Sequence, residues 1–201
     1  MCTAAATGFT TTALALLTFT ALTAPSPPPA PPSDAARSSH PAARHRLGPD
    51  APAALPRSEP YSIEIHKLGL ATKIEEVGTA VDGAIAMPAD ADHAGWYTGS
   101  PTPGENGNTI LVGHLDSSTG PAAFYGLGAL RNGDRITLTR RDQTTATFTV
   151  TTMTVWPKNN FPSERVYAPT PTPQLTLITC ADWDEAANDY RSNLVITAHR
   201  R

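Results

Sequence analysis

From residue 61 onward, apolar and polar positions alternate with a period of two over several short stretches. Tyr61-Ser62-Ile63-Glu64-Ile65 sets Ile63 and Ile65 on one side, and residues 135–139 and 146–150 repeat the pattern. Such alternation predicts half-buried β-strands. Residues 109–113, 175–180 and 194–198 are apolar, largely β-branched runs that predict further strands. In the 175–180 run, Leu175, Leu177 and Thr179 fall on one face and Thr176, Ile178 and Cys180 on the other. Both faces are largely apolar, so this strand is expected at the centre of a sheet. Asp82-Gly83, Pro103-Gly104, Asn106-Gly107 and Asn132-Gly133 punctuate the chain as turns. Helical periodicity is scarce, and Pro121-Ala122-Ala123-Phe124-Tyr125 is expected to form one short helix with proline in its first turn. Many short strands separated by turns predict an all-β barrel or sandwich.

The N-terminal part has a different character. Residues 1–24 are almost uncharged and moderately apolar, centred on Ala13-Leu14-Ala15-Leu16-Leu17, and are read as an export signal, either a retained membrane anchor or a cleaved peptide. Residues 25–60 hold 11 of the chain's 20 prolines. They are expected to form a disordered, extended spacer or tail, because this composition cannot bury a core. Residues 61–201 are then the folded domain. With 40% hydrophobic and 16% charged residues, the 201-residue chain can pack a core. A net charge of −3 gives no basic footprint for nucleic acid. The two cysteines are Cys2, inside the export segment, and Cys180, so the folded part carries a single thiol and no internal disulfide.

Candidate chemistry gathers where predicted strands end. Cys180 closes the 175–180 run, and His114 follows Ile110-Leu111-Val112-Gly113. A side chain emerging from a rigid strand into a loop is well placed to react, although most free cysteines are small core residues. Neutral imidazole is a common acid–base partner for a thiol. Arg191 lies in the segment before the last strand, where pairing of neighbouring strands would return it to the Cys180 end. Its guanidinium can stabilise an oxyanion but cannot act as a base.

These three side chains, in this order and spacing, resemble the sortase family. His114 stands in Gly113-His114-Leu115-Asp116, Cys180 ends Thr176-Leu177-Ile178-Thr179-Cys180, and Arg191 follows eleven residues later. Further likeness lies in Gly95-Trp96-Tyr97, in residues 103–108 and 120–124, and in Asn132-Gly133-Asp134, Phe161-Pro162 and Val166-Tyr167. The pattern is most similar to the class F sortases of high-GC Gram-positive bacteria, with class E the near neighbour. Ala181-Asp182-Trp183 departs from it, since related proteins tend to have glycines and phenylalanine there.

The resemblance implies a closed eight-stranded β-barrel with one or two short helices. It implies a cysteine transpeptidase, with catalytic His114, Cys180 and Arg191 and no cofactor or metal. Substrates would be proteins bearing an LPXTG-like sorting signal, cleaved between Thr and Gly. The acceptor would be an amine of a peptidoglycan precursor or a pilin lysine. Thr179 is implied as a substrate contact. The stretch between Trp156 and Gln174, carrying Phe161, Val166 and Tyr167, is implied as a wall of the signal-binding groove. The location implied is the outer face of the cell membrane or the cell wall.

Two other readings compete. A cell-envelope cysteine peptidase would use water as acceptor, although papain-like enzymes place cysteine before histidine. A catalytically silent barrel that binds wall peptides would need no reactive thiol. A zinc site built from His114, Asp116 and Cys180 lacks paired-ligand spacing. Glu105 and Asp116 are too few carboxylates to predict calcium dependence.

Overall fold

The structure, a computed structural model, describes residues 27–32 and 53–200. The export segment 1–24 lies outside the described residues, as does most of the expected spacer. Among the described residues ten strands are formed: β1 (Pro60–Ile65), β2 (Leu70–Val77), β3 (Ala94–Tyr97), β4 (Gly107–Gly113), β5 (Asp116–Ser117), β6 (Gly120–Pro121), β7 (Arg135–Arg140), β8 (Thr145–Pro157), β9 (Pro173–Asp184) and β10 (Asp189–Arg200). Eight of them close into a barrel in the order β1-β2-β3-β4-β9-β10-β8-β7, while β5 and β6 make a separate two-stranded ribbon. Closure leaves no unpaired edge to the sheet. The expected eight-stranded barrel is therefore the observed fold.

Pairing is antiparallel except at β2–β3 and β4–β9, which are parallel. The exception at β4–β9 follows from strand order: β4 and β9 are far apart in sequence, and the barrel seats them side by side. Alternation then sorts their side chains. Leu111, Leu175 and Leu177 point inward to join Ile63, Ile65, Trp96, Phe124, Ile136, Leu138, Phe148, Leu194 and Ile196 in the barrel core. Ile110, Val112, Ile178 and Val195 point outward, where Val77, Val166, Ile85, Ala86, Tyr97, Trp156 and Phe161 cover them. Both faces of β4 are thus buried, which accounts for its unbroken apolar run.

Two sequence expectations are corrected. The helix expected at 121–125 is absent: Pro121 ends the β5–β6 ribbon, and a 3-10 turn follows at Tyr125–Ala129. That turn contains Gly126 and Gly128, poor helix formers. The chain after Cys180, where the 175–180 strand was expected to give way to a loop, stays in strand as far as Asp184, because β10 continues to pair with β9 there. The spacer also has contacts with the barrel. Leu55 N donates to the Gly104 carbonyl at 2.8 Å, Ser58 N to Thr102 Oγ1 at 3.0 Å, and the buried Arg140 guanidinium to the Pro56 carbonyl. Farther upstream, the Pro29 carbonyl lies where a Cβ on Gly128 would stand.

Candidate active site

His114 and Cys180 meet through the parallel β4–β9 ladder. Its last pair is Val112 with Ile178, a sequence offset of 66 residues. Continuing that offset sets Gly113 beside Thr179 and His114 level with Cys180. One bond beyond the ladder fixes this alignment: Thr179 Oγ1 donates to the Gly113 carbonyl at 2.8 Å, buried. By alternation His114 follows Ile110 and Val112 on the outer face, and Cys180 follows Ile178 on the same face. The two therefore stand at the head of the covered apolar strip outside the barrel.

Cys180 is not at the end of its strand, as expected, but where its neighbour β4 stops. The geometric effect is the one anticipated, since the thiol loses its flanking strand and is half-buried. It is a free cysteine. Burial pushes its thiol above the ordinary range; the Lys158 ammonium pulls the other way, and the Asp189 and Asp116 carboxylates add to the rise.

The His114 ring has a backbone partner outside β4 and β9. Its Nε2 lies 3.2 Å from the Pro88 carbonyl, in the connection between β2 and β3. A carbonyl only accepts, so Nε2 carries the proton of this bond. The segment after His114 is folded back on itself: Phe124 N donates to the His114 carbonyl at 2.9 Å, and Ala122 N to that of Leu115 at 3.1 Å. Gly113 allows this, because a Cβ there would sit 2.6 Å from the Phe124 ring.

Arg191 lies within β10 rather than in a loop before it. It is two residues from Asn193, the ladder partner of Cys180. Its side chain is 71% exposed, and Nε pairs with Asp184 Oδ2 at 2.9 Å. The other oxygen of Asp184 caps the β9–β10 turn by accepting from Ala186 N and Ala187 N. Next to Arg191, Tyr190 packs edge-on against Trp183, with ring centroids 5.0 Å apart, and donates its phenol to Asp116 Oδ2. That bond joins β10 to β5, which begins two residues after His114. Burial and the Asp116 carboxylate push the Tyr190 phenol well above its ordinary range. An open cavity of about 670 Å³ lies between Lys158 and the β9–β10 hairpin, with Asp182, Asp189, Tyr190 and Arg191 in its lining.

The other sequence candidates divide. Thr179, expected as a substrate contact, turns into the barrel and is 3% exposed, with its hydroxyl committed to Gly113. Its position in the run had already set it on the face opposite Cys180. Phe161, Val166 and Tyr167 lie in the β8–β9 connection, which contains a single turn of α-helix, α1 (Ser163–Val166). Phe161 and Val166 pack onto the outer apolar strip, and Tyr167 contacts Phe161 at 5.9 Å between centroids while remaining partly exposed.

Sequence reasoning missed the network that seats this connection. Asn108 Nδ2 donates to the Val166 carbonyl at 2.9 Å, and Thr176 Oγ1 donates to Asn108 Oδ1 at 2.7 Å, all buried. The only available signal was a polar Asn opening an apolar run. Among the described residues, no group of three or more His, Cys, Asp or Glu is placed to hold a metal ion.

A family model described as a sortase domain matches residues 63–201. Among solved structures, sortase A from Corynebacterium diphtheriae is similar at 25% identity and a TM-score of 0.55, over 73% of this chain and 62% of that one. The chain thus spans less than two thirds of that relative's length. The SrtA sortase of Actinomyces oris shares the fold at 23% identity and a TM-score of 0.56, over 76% of this chain and 87% of that one. A Clostridium perfringens sortase D5 transpeptidase does so at 22% identity and a TM-score of 0.54, over 71% and 79% of the two chains. No curated protein sequence is significantly similar.

Proposed function

This chain belongs to the sortase family, and from that premise we propose that it is a cysteine transpeptidase whose nucleophile is Cys180 and whose acid–base group is His114. The observation that carries this reading is the β4–β9 register, which sets imidazole and thiol level on one outer face above an apolar strip. The Cys180 thiolate attacks the carbonyl carbon of threonine in an LPXTG-like signal, and the π electrons move onto oxygen. Arg191, released from Asp184, faces that oxyanion together with a backbone N–H. Protonated His114 gives its proton to the departing glycine amine as the C–N bond breaks and the thioester remains. An incoming amine, from a peptidoglycan precursor or a pilin lysine, then loses its proton to His114 and displaces the thiol.

Burial favours the neutral Cys180 thiol over the thiolate, so attack begins with transfer of the thiol proton to His114, which makes the thiolate and the imidazolium together, and this transfer is part of the barrier. In this reading the β8–β9 connection, with Phe161, Val166 and Tyr167, is one wall of the signal-binding groove, and the buried strip of Ile110, Val112, Ile178 and Val195 beneath it is the support on which that wall is seated. Thr179 acts from beneath by holding the two strand ends together. Residues 61–201 are the catalytic domain, with 25–60 as spacer and 1–24 as export signal or anchor, which would hold the enzyme on the outer side of the membrane. No helix among the described residues is long and apolar enough to cross a membrane. The motifs Gly113-His114-Leu115-Asp116 and Thr179-Cys180 favour class F, with class E the alternative.

The test uses the full chain, an LPXTG-type peptide and a glycine amine, followed by intact-mass analysis. A thioacyl adduct on Cys180 and a ligated product, both lost in Cys180→Ala and the product lost in His114→Ala, is the expected result. Cleavage without ligation would make the protein a peptidase. No adduct with any related signal would make it a silent binding barrel.

A further inference from the structure

The Pro88 carbonyl that meets His114 does not stand alone. Pro88 C=O and Ala89 N–H belong to one planar peptide unit, so turning either turns the other. The Ala89 N–H donates to Glu75 Oε2 at 2.9 Å, and the next amide, Asp90 N–H, donates to Oε1 at 3.3 Å. Glu75 comes from β2, on the barrel wall, and its Oε1 also receives His93 Nδ1 at 2.8 Å. One carboxylate thus gathers three donors from the β2–β3 connection. The His93 bond, then the Ala89 amide, hold that carboxyl below the usual carboxylate range despite the opposing effect of burial. A trans peptide points its N–H and C=O in opposite directions, so gripping the N–H on the Glu75 side aims the carbonyl at His114. Pro88 is itself wedged beside Gly95, where a Cβ would come within 3.2 Å of its ring.

We propose that Glu75 is a positioning residue for His114, acting through the Pro88–Ala89 peptide to fix the imidazole with Nε2–H bonded and Nδ1 left for proton exchange. The claim rests on the reading of His114 as the acid–base group. Its physical content is separate: one carboxylate sets the tautomer and tilt of a ring that it does not touch. A charged acceptor on the amide also polarises the carbonyl and strengthens its bond to the ring. A merely structural Glu75 would tie β2 to the connection with no consequence for the ring.

The experiment follows the ring N–H of His114 by proton–nitrogen NMR in the full chain, alongside ligation kinetics and melting curves. In the native protein a protected Nε2–H resonance is expected. In Glu75→Ala it should be lost to solvent exchange, and kcat should fall at least about tenfold with KM within about twofold, since a 1 Å misplacement can cost 10²-fold. Glu75→Gln keeps an oxygen for the Ala89 amide and should restore the resonance and most of kcat. It also serves should the alanine variant not fold. Absence of the protected resonance in the native chain, or its persistence with unchanged kcat in Glu75→Ala, would overturn the proposal whatever happens to the melting temperature. Should the native chain show no ligation, the transpeptidase reading fails, and the resonance alone decides the positioning role.

Discussion

Thr179→Val is the most economical probe of how the site is assembled. Valine matches threonine in shape, so packing inside the barrel is kept and only the hydroxyl is lost. That hydroxyl makes a side-chain bond from β9 to β4 beyond their last ladder pair, 2.8 Å long and buried. A typical hydrogen bond contributes about 0.5–1.5 kcal/mol net, and a buried acceptor left short costs more, so a loss of about 1–2 kcal/mol is expected. In a domain of this size each kcal/mol moves the melting temperature by about 2–4 °C, which gives a drop of about 2–8 °C. The functional effect should be larger than the stability effect. Gly113 precedes His114 and Thr179 precedes Cys180, so freeing this bond lets the two strand ends drift apart. A fall in kcat of about 10–100-fold is expected, with KM little changed. The assays are thermal melting by circular dichroism and initial-rate ligation, with Thr179→Ser as the control that keeps the hydroxyl. A direct substrate contact would instead raise KM and leave the melting temperature alone. An unchanged kcat in the valine variant, or a serine variant as impaired as valine, would refute the tethering argument.

Two further predictions follow from the same region. Because burial raises the Cys180 thiol, its alkylation by iodoacetamide should keep accelerating as pH rises through 9, where an exposed thiol would begin to saturate. Lys158→Ala removes the cation that favours the thiolate and should slow the reaction at fixed pH, whereas Asp189→Asn should speed it; opposite signs would refute the assignment. Gly113→Ala would drive a Cβ to within 2.6 Å of the Phe124 ring. It should cost about 1–3 kcal/mol by overpacking, readable as a lower midpoint in urea unfolding.

The strand cores were readable because alternation reports burial residue by residue. Ile63 and Ile65, Ile136 and Leu138, and Phe148 and Val150 all face the barrel interior as their spacing required. The ends of β9 and β10 were not readable, because what extends them lies across the hairpin. The Arg191–Asp184 ion pair and the Trp183–Tyr190 ring contact are cross-strand interactions that neither segment shows alone. Pro121 misled in a related way. It suits the first turn of a helix, but here it suits equally the edge of a two-residue ribbon, and tertiary pairing chose the ribbon.

The site shows the same division between side-chain type and register. Cysteine, histidine and arginine could be singled out by their chemistry, but what sets His114 level with Cys180 is a parallel pairing between segments that the sequence separates by 66 residues. Barrel closure dictates that pairing, and no local pattern encodes it. The residues that hold the arrangement are legible only after closure for the same reason. Asn108 reaches Val166, Thr179 reaches Gly113, and Glu75 reaches Ala89, each across a gap that only the strand order brings together. Read in isolation they are an ordinary polar residue at a strand start, a buried threonine and a surface glutamate. Each instead spends its hydrogen-bonding capacity on a backbone group of a segment that packs on the outer strip or adjoins His114 and Cys180. The sequence therefore points to the chemistry through its reactive groups, while its precision depends on polar residues whose roles exist only in the closed barrel.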